Sequence, residues 1–361
     1  MAAQLCRLKL SEQLIGDGCM VQVFTTTANG QTELPAFQHS PIEVDGVPVY
    51  YFNRITKDHS HFSPRLLLAV WKQAKNFDIV HIHAWWNLVS VLSCLTALMR
   101  GVPVVVSPRG MLSFYSFHNK NAFFKKCIHY LLGKPLLKRC SIHATSPYEK
   151  ASLQQLVSPA QLFTLPNFIE LPDIAPTKPD NLTGTIKLLF FSRIEEKKGL
   201  DILLNALVNV TIPYHLTIAG SGETGYLDSL KVLAQQNNIA DHISWIGFQG
   251  ENKFAVLADH HLLILPSYDE NFGNVVIESL YVGTAVLISG QVGLAAYVQG
   301  NNLGWICETE PDSVAGAINH LDVERLKMIA KAGPIIIEHD FNEKRLVKKY
   351  TDMYQQIIQN G

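Results

Sequence analysis

The chain lacks an excess of either charge and lacks any apolar run long enough to cross a bilayer. Lys and Arg number 30 against 31 Asp and Glu, for a net charge of -1 and a charged fraction of 17%, so nothing in the global charge attracts nucleic acid. The longest apolar helical stretch, Leu88 to Met99, is stopped by Arg100-Gly101, well short of the roughly 20 residues a spanning helix needs. Met1 to Leu10 has no continuous apolar core, so no secretory signal is expected. The six cysteines (Cys6, Cys19, Cys94, Cys127, Cys140, Cys307) include no Cys-x-x-Cys pair and fall mostly in apolar segments. A reducing compartment and the absence of a zinc site are therefore expected. Internal repeats and low-complexity tracts are also missing.

What remains is a chain of 361 residues, 47% hydrophobic, long enough for two domains with sizeable cores. Its most informative stretch is His261 to Gly283. The run Leu262 to Leu265 is apolar and is stopped by Pro266, which suits a strand buried on both faces of a parallel sheet. A polar, glycine-bearing loop follows, and a helix is predicted from near Asn274. Such a loop lies at the carboxyl end of its strand, where open α/β sheets bind ligands, and the helix start offers N–H groups and a positive dipole end to an anion. Two acids frame it. Glu270 precedes the helix and can point into the crevice above the sheet. Glu278 lies among Val275, Val276, Ile277 and Leu280, where an unpaired carboxylate would cost several kcal/mol; a ribose diol, an Arg or solvent could each satisfy it.

Other predicted strands of the second half are Ile186 to Ser192, His215 to Ala219, Ile243 to Ile246, Ala285 to Ser289 and Gly304 to Cys307, alternating with helices as in a doubly wound domain. After the first comes Arg193-Ile-Glu-Glu-Lys-Lys198-Gly199, which places two cations beside a helix start; either could instead pair with Glu195 or Glu196 at about 0 to 1 kcal/mol. The next strand ends in Gly220-Ser221-Gly222, with room for a ligand to approach the backbone.

In the first half, a helix over residues 2 to 15 precedes strands at Met20 to Phe24, Val47 to Phe52, Asp78 to His83, Val102 to Ser107, Ser141 to Thr145 and Leu162 to Leu165. His81 and His83 share a strand face but lack a third clustered ligand for a metal. Residues 118 to 140 carry Lys120, Lys125, Lys126, Lys134, Lys138 and Arg139 with no acid, interleaved with Phe123, Phe124, Ile128, Tyr130, Leu131 and Leu132. That stretch reads either as an element attracted to anionic membrane or as a solvated helix face. Pro166, Pro172, Pro176 and Pro179 mark a linker over 168–184, dividing 1–167 from 185–340, with a final helix over 341–361.

The setting Pro-Ser-x-x-Glu270-x-Phe-Gly-x-x-x-x-Glu278 resembles that of retaining glycosyltransferases of family 4. The resemblance implies the GT-B fold, two Rossmann-like doubly wound domains facing each other across a cleft, with the last helix crossing back to the first domain. It also implies a nucleotide-diphosphate sugar as donor, no cofactor or metal, and a glycan or lipid-linked glycan as acceptor, at the inner face of the cytoplasmic membrane. Arg193 and Lys198 match the cations on the donor diphosphate, Glu270 the acid on the sugar hydroxyls and Glu278 that on the ribose. Gly220, Gly222, Gly247, Phe248, Asn271, Phe272, Gly273 and Asn274 match positions that line the donor, Gly247-Phe248 bordering the base. His83 and Arg109 fall on the acceptor side, Arg109 where many members carry a histidine, which leaves its role open between acceptor, phosphate and structure. Members begin with a strand and a glycine-rich loop ahead of the first helix, and both are missing here. The expectation is of a first domain begun late, and of a retaining glycosyltransferase of polysaccharide or lipopolysaccharide-type biosynthesis. A nucleotide-sugar epimerase of the same fold, or an inactive binding protein, are the alternatives.

Overall fold

A computed structural model describes residues 2–29, 32–34, 40–56, 58, 60–113, 129–172 and 184–360, with the backbone alone for 2–7 and 32. The chain divides into two compact units, Met1–Glu170 with Glu343–Gly361, and Leu171–Asn342. Phe168 and Ile169 are buried, so the first unit reaches into the segment expected to be linker. Residues 173–183 of that segment lie outside the described residues.

The first unit opens on helix α1 (Ala2–Gly16), followed by strands β1 (Val23–Thr26), β2 (Ala28–Asn29), β3 (Thr32–Glu33), β4 (Ile42–Val44) and β5 (Val47–Phe52). Strand β1 pairs in parallel with β5, while β4 and β5 form an antiparallel hairpin. The sequence reading missed that hairpin. Its signal is Asp45-Gly46, whose φ values of 49° and 74° are the left-handed pair a tight two-residue hairpin turn requires. After α2 (Pro64–Gln73) come β6 (Val80–His83), α3 (Leu88–Met99), β7 (Val104–Ser107), β8 (Ser141–Ala144), α4 (Pro147–Leu156) and β9 (Gln161–Thr164). These last four strands form a second, all-parallel sheet in the order β6-β7-β8-β9. The strands of this unit are thus divided between sheets. The C-terminal helix, Glu343–Asn360, packs Leu346, Val347, Tyr350, Met353 and Ile357 against Leu10, Leu14, Val105 and Phe168 in this unit's core.

The second unit holds one six-stranded parallel sheet, β10 (Ile186–Phe191), β11 (Tyr214–Ala219), β12 (Ile243–Gly247), β13 (Leu262–Leu265), β14 (Ala285–Ser289) and β15 (Gly304–Cys307), in the order β12-β11-β10-β13-β14-β15. Every residue of β13 and β14 is buried, as their unbroken apolar sequences require of strands covered on both faces. Helices α5 (Leu200–Ala206), α6 (Thr224–Gln236), α7 (Lys253–Ala258), α8 (Asn274–Tyr281), α9 (Ala295–Gly300), α10 (Pro311–Asn319) and α11 (Val323–Asp340) connect or follow the strands. The strand order runs outward in both directions from β10 and β13. Between them lies the switch point where ligands bind in open α/β sheets. Among the described residues no helix is long and apolar enough to cross a membrane.

Candidate active site

The loops after β10 and β13 flank that switch point and are tied together by their backbones. The Tyr268 N–H donates to the Lys197 carbonyl at 2.9 Å. Gly199, at φ 69°, lies so close to the second loop that a Cβ would stand 2.2 Å from the Pro266 carbonyl oxygen. Glycine is therefore required immediately after Lys198. Here Lys198, only 7% exposed, forms an ion pair with Glu270. The two residues are 72 positions apart, and the parallel pairing of β10 with β13 brings them together.

Glu270 is held from its other side as well. Its N–H donates to the Gln291 carbonyl at 3.2 Å, and the Gly293 N–H donates to the Glu270 carbonyl at 2.8 Å. Ser289 Oγ donates to the Ser267 carbonyl at 2.6 Å. Gly273 then caps α8 at φ 89°, with no side-chain cap hydrogen bond. A helix begun this way presents its first N–H groups and positive dipole end beside the Lys198–Glu270 pair.

Glu278, on α8, is buried as its sequence neighbours implied, and Lys253 Nζ lies 2.8 Å from its Oε1. Lys253 opens α7 and also lies over the Phe254 ring, 4.6 Å from its centroid. Nothing local in the sequence marks Lys253 as this partner, since the contact exists only because α7 and α8 pack together.

The remaining expected residues are distributed less uniformly. Arg193 is 68% exposed at its side chain and pairs with Glu195 at 2.9 Å, which is the bland alternative; it does not join Lys198 and Glu270. Gly220 and Gly222 were expected to give room to a ligand, but their closeness is to the chain itself. A Cβ at Gly220 would meet the Ser192 carbonyl oxygen at 1.9 Å, and one at Gly222 the Ile194 carbonyl oxygen at 2.3 Å. The Ile194 N–H donates to the Ser221 carbonyl at 2.9 Å and the Gly220 N–H to the Gly247 carbonyl at 2.8 Å, so the loops after β10, β11 and β12 are fastened side by side. Phe248 is 67% exposed, free to present a ring to a planar ligand. Phe272 is buried edge-to-face against Phe341, ring centroids 6.4 Å apart, and so packs the core while only its backbone belongs to the loop. Asn271 and Asn274 are half-buried on either side of Gly273. Behind the pair, burial raises the Asp201 carboxyl above its usual range, while Tyr268 hydrogen-bonds to it. Burial and the charges of Asp201 and Glu196 push Tyr226 up to about 12.

In the first unit His83 and Arg109 do come together. Arg109 Nη2 lies 3.5 Å from His83 Nδ1, and Nη1 donates to Asn167 Oδ1. Beneath them runs a partly buried chain the sequence reading missed. Tyr354 Oη and His81 Nδ1 are 2.7 Å apart, His81 Nε2 and Ser107 Oγ 2.6 Å, Ser107 Oγ and His143 Nδ1 2.7 Å, and His143 Nε2 and the Leu165 carbonyl 2.9 Å. A carbonyl only accepts, so His143 carries its proton on Nε2, Ser107 donates to Nδ1, and His81 donates to Ser107 from Nε2. Burial first, and then the Arg109 charge, pushes His143 down to about 3. His81 is held well below its usual value by burial, then by His143 and Arg109. Among the described residues no cluster of His, Cys, Asp and Glu could hold a metal ion.

The site and fold can be set beside known proteins. Residues 3–167 match the glycosyl transferase 4-like domain and residues 175–332 match glycosyl transferases group 1. An uncharacterized glycosyltransferase of Methanocaldococcus jannaschii is 28% identical over 338 residues, 86% of this chain and 83% of that one. A putative colanic acid biosynthesis glycosyltransferase of Escherichia coli is 25% identical over 202 residues, 52% of this chain and 48% of that one. Among solved structures, Anabaena HepE in complex with UDP and glucose superposes with a TM-score of 0.77 at 17% identity, over 99% of this chain and 96% of that one. The fold is GT-B and the class is glycosyltransferase. Within it the chain belongs to the group 1, family 4-like glycosyltransferases.

Proposed function

We propose that this glycosyltransferase moves a sugar from a nucleotide-diphosphate donor, with retention of anomeric configuration, to a glycan or lipid-linked glycan in polysaccharide or lipopolysaccharide-type biosynthesis. The observation that carries the donor side is the Lys198–Glu270 pair at the switch point between β10 and β13, beside the start of α8, where Gly273 provides no side-chain cap. Departure of the nucleoside diphosphate leaves negative charge on its phosphates while the sugar becomes oxocarbenium-like. Lys198 and the α8 N–H groups are the preorganised positive groups for that charge, each such contact contributing on the order of 2.7 to 4 kcal/mol. In this reading no divalent metal or cofactor takes part. Glu270, released from Lys198, accepts from sugar hydroxyls; Glu278, exchanging Lys253 for a diol, accepts from the ribose; Phe248 borders the base. The putative role of the Escherichia coli relative in colanic acid biosynthesis and the UDP and glucose in the Anabaena structure support the acceptor and donor classes by analogy.

Peripheral contact with anionic membrane at the inner face of the cytoplasmic membrane is part of the same reading. Of the basic stretch 118–140, residues 118–128 lie outside the described residues. In the rest, Tyr130, Leu131 and Leu132 are exposed large apolar side chains, with Lys138 and Arg139 also exposed, the pairing of apolar and basic groups that suits an anionic lipid surface.

The test is a thermal-shift panel of UDP, GDP, dTDP and CMP on the chain, repeated with Lys198→Ala and Glu278→Ala. Stabilisation by one diphosphate, lost in both variants, is expected and identifies the base. A cooperatively melting protein stabilised by none of them would overturn the reading. Co-sedimentation with phosphatidylglycerol vesicles but not phosphatidylcholine vesicles, lost with Leu131→Glu, is the expected result for the membrane contact.

A further inference from the structure

The guanidinium of Arg109 is positioned without being neutralised. It sits just beyond the carboxyl end of β7, at φ 56°, while Ala84, just beyond the neighbouring β6, has φ 80°. Non-glycine residues in that region are held there against strain and collect at ligand sites. The partners of the guanidinium among the described residues, Asn167 Oδ1 and His83 Nδ1, are neutral acceptors. Because a guanidinium only donates, His83 Nδ1 must be unprotonated, with the ring proton on Nε2. Among the described residues no carboxylate forms an ion pair with Arg109. Glu149, which reaches the same turn, is occupied by other donors: its Oε1 accepts the Gly110 N–H at 2.7 Å, and its Oε2 accepts from the Thr145 N–H at 2.7 Å and from Thr145 Oγ1 at 2.9 Å. Glu149 therefore fixes the turn that carries Arg109, and no carboxylate of the described residues compensates the Arg109 charge. The histidines beneath, His81 and His143, are kept neutral by burial and by Arg109 itself.

A cation with several N–H donors, held by neutral groups at the carboxyl ends of parallel strands, is built for an oxyanion. We infer that Arg109 binds a phosphate or carboxylate group of the acceptor, so that the acceptor is an anionic sugar or sugar phosphate and not a neutral glycan. The inference rests on the glycosyltransferase reading for the word acceptor. The same chemistry could be offered by the donor diphosphate, and the test separates the two sources.

Binding of α-D-glucose 1-phosphate, D-glucuronate and methyl α-D-glucoside to the full chain is measured by NMR titration in a Lys198→Ala background, which removes the donor-phosphate cation. One of the two anionic sugars is expected to bind roughly tenfold or more tightly than the glucoside, as charge-assisted hydrogen bonds allow. Arg109→Gln should erase that preference, and Arg109→Lys should keep part of it and serve as the variant if the glutamine fails to melt cooperatively. Equal binding of charged and neutral sugars, binding of none, or a preference indifferent to Arg109 overturns the inference. So does a loss of nucleoside-diphosphate stabilisation in Arg109→Gln as large as in Lys198→Ala, which would give the oxyanion to the donor. If no nucleotide stabilises the unmodified chain but the Arg109-dependent preference persists, the donor reading fails and the anion site stands.

Discussion

At the scale of single residues, the site is a set of ionisable groups whose partners come from distant parts of the chain. Lys253 and Glu278 are the clearest pair, with side-chain exposures of 27% and 11%. Removing one member of a buried pair costs about 3 to 5 kcal/mol, and partial solvent access reduces that here. Lys253→Met is expected to lower stability by about 1 to 3 kcal/mol in urea titrations. Addition of Glu278→Gln should recover part of the loss, a non-additive cycle that independent residues would not give. A second expectation concerns pH. His143 is depressed to about 3 in the folded chain, against about 6.5 unfolded, so the unfolded state binds the extra proton between these values. The folded state's advantage is therefore complete above about pH 6.5 and is lost as pH falls toward 3, at up to about 1.4 kcal/mol per pH unit from this residue. His81, lowered in the same direction, adds to the slope. Urea midpoints at pH 7.5, 6 and 5 should fall steadily, and less steeply in His143→Gln.

At the scale of elements, the loops at the carboxyl ends of β10 to β13 act as one laced edge. Because a Cβ on Gly222 would stand 2.3 Å from the Ile194 carbonyl oxygen, Gly222→Ala must push apart the loops after β10 and β11. Overpacking of this kind costs about 1 to 3 kcal/mol. The expected outcome is a modest drop in melting temperature with a larger loss of nucleoside-diphosphate binding, since the displaced loop carries Lys198. Unchanged binding in a destabilised variant would mean the two loops move independently. Most strands were legible because apolar runs such as Leu262–Leu265 and Ala285–Ser289 end at proline, glycine or polar residues. The short pair β2 and β3 and the strand β4 were missed; they are two or three residues long, too brief for alternation to show, and only Asp45-Gly46 betrayed one of them. The packing of Gly220, Gly222 and Phe272 against the chain itself was hidden for a related reason. A glycine or aromatic beside a site reads the same in sequence whether it faces a ligand or the neighbouring loop.

At the scale of the whole molecule, the last helix belongs to the first unit although the second intervenes in sequence. Tyr350 is fully buried there, donating to the Pro166 carbonyl at 3.0 Å and lying 3.2 Å from His143 Nε2. Tyr350→Ala should destabilise the first unit by about 3 to 5 kcal/mol, while nucleoside diphosphates, under the proposed donor site, should still protect the second unit in hydrogen exchange. Loss of protection in both would show that the two units unfold as one. The sequence by itself determined the class of fold and the Glu270–Glu278 loop, because periodicity, strand stops and helix starts are local properties that neighbouring residues impose on one another. Only the tertiary structure decided that Lys198 meets Glu270, that Lys253 meets Glu278, that Arg193 pairs with Glu195, and that no carboxylate among the described residues pairs with Arg109. Each depends on which strands lie side by side and which helix faces pack, and pairing across tens of residues is fixed by burial of the whole core and leaves no mark on the local sequence.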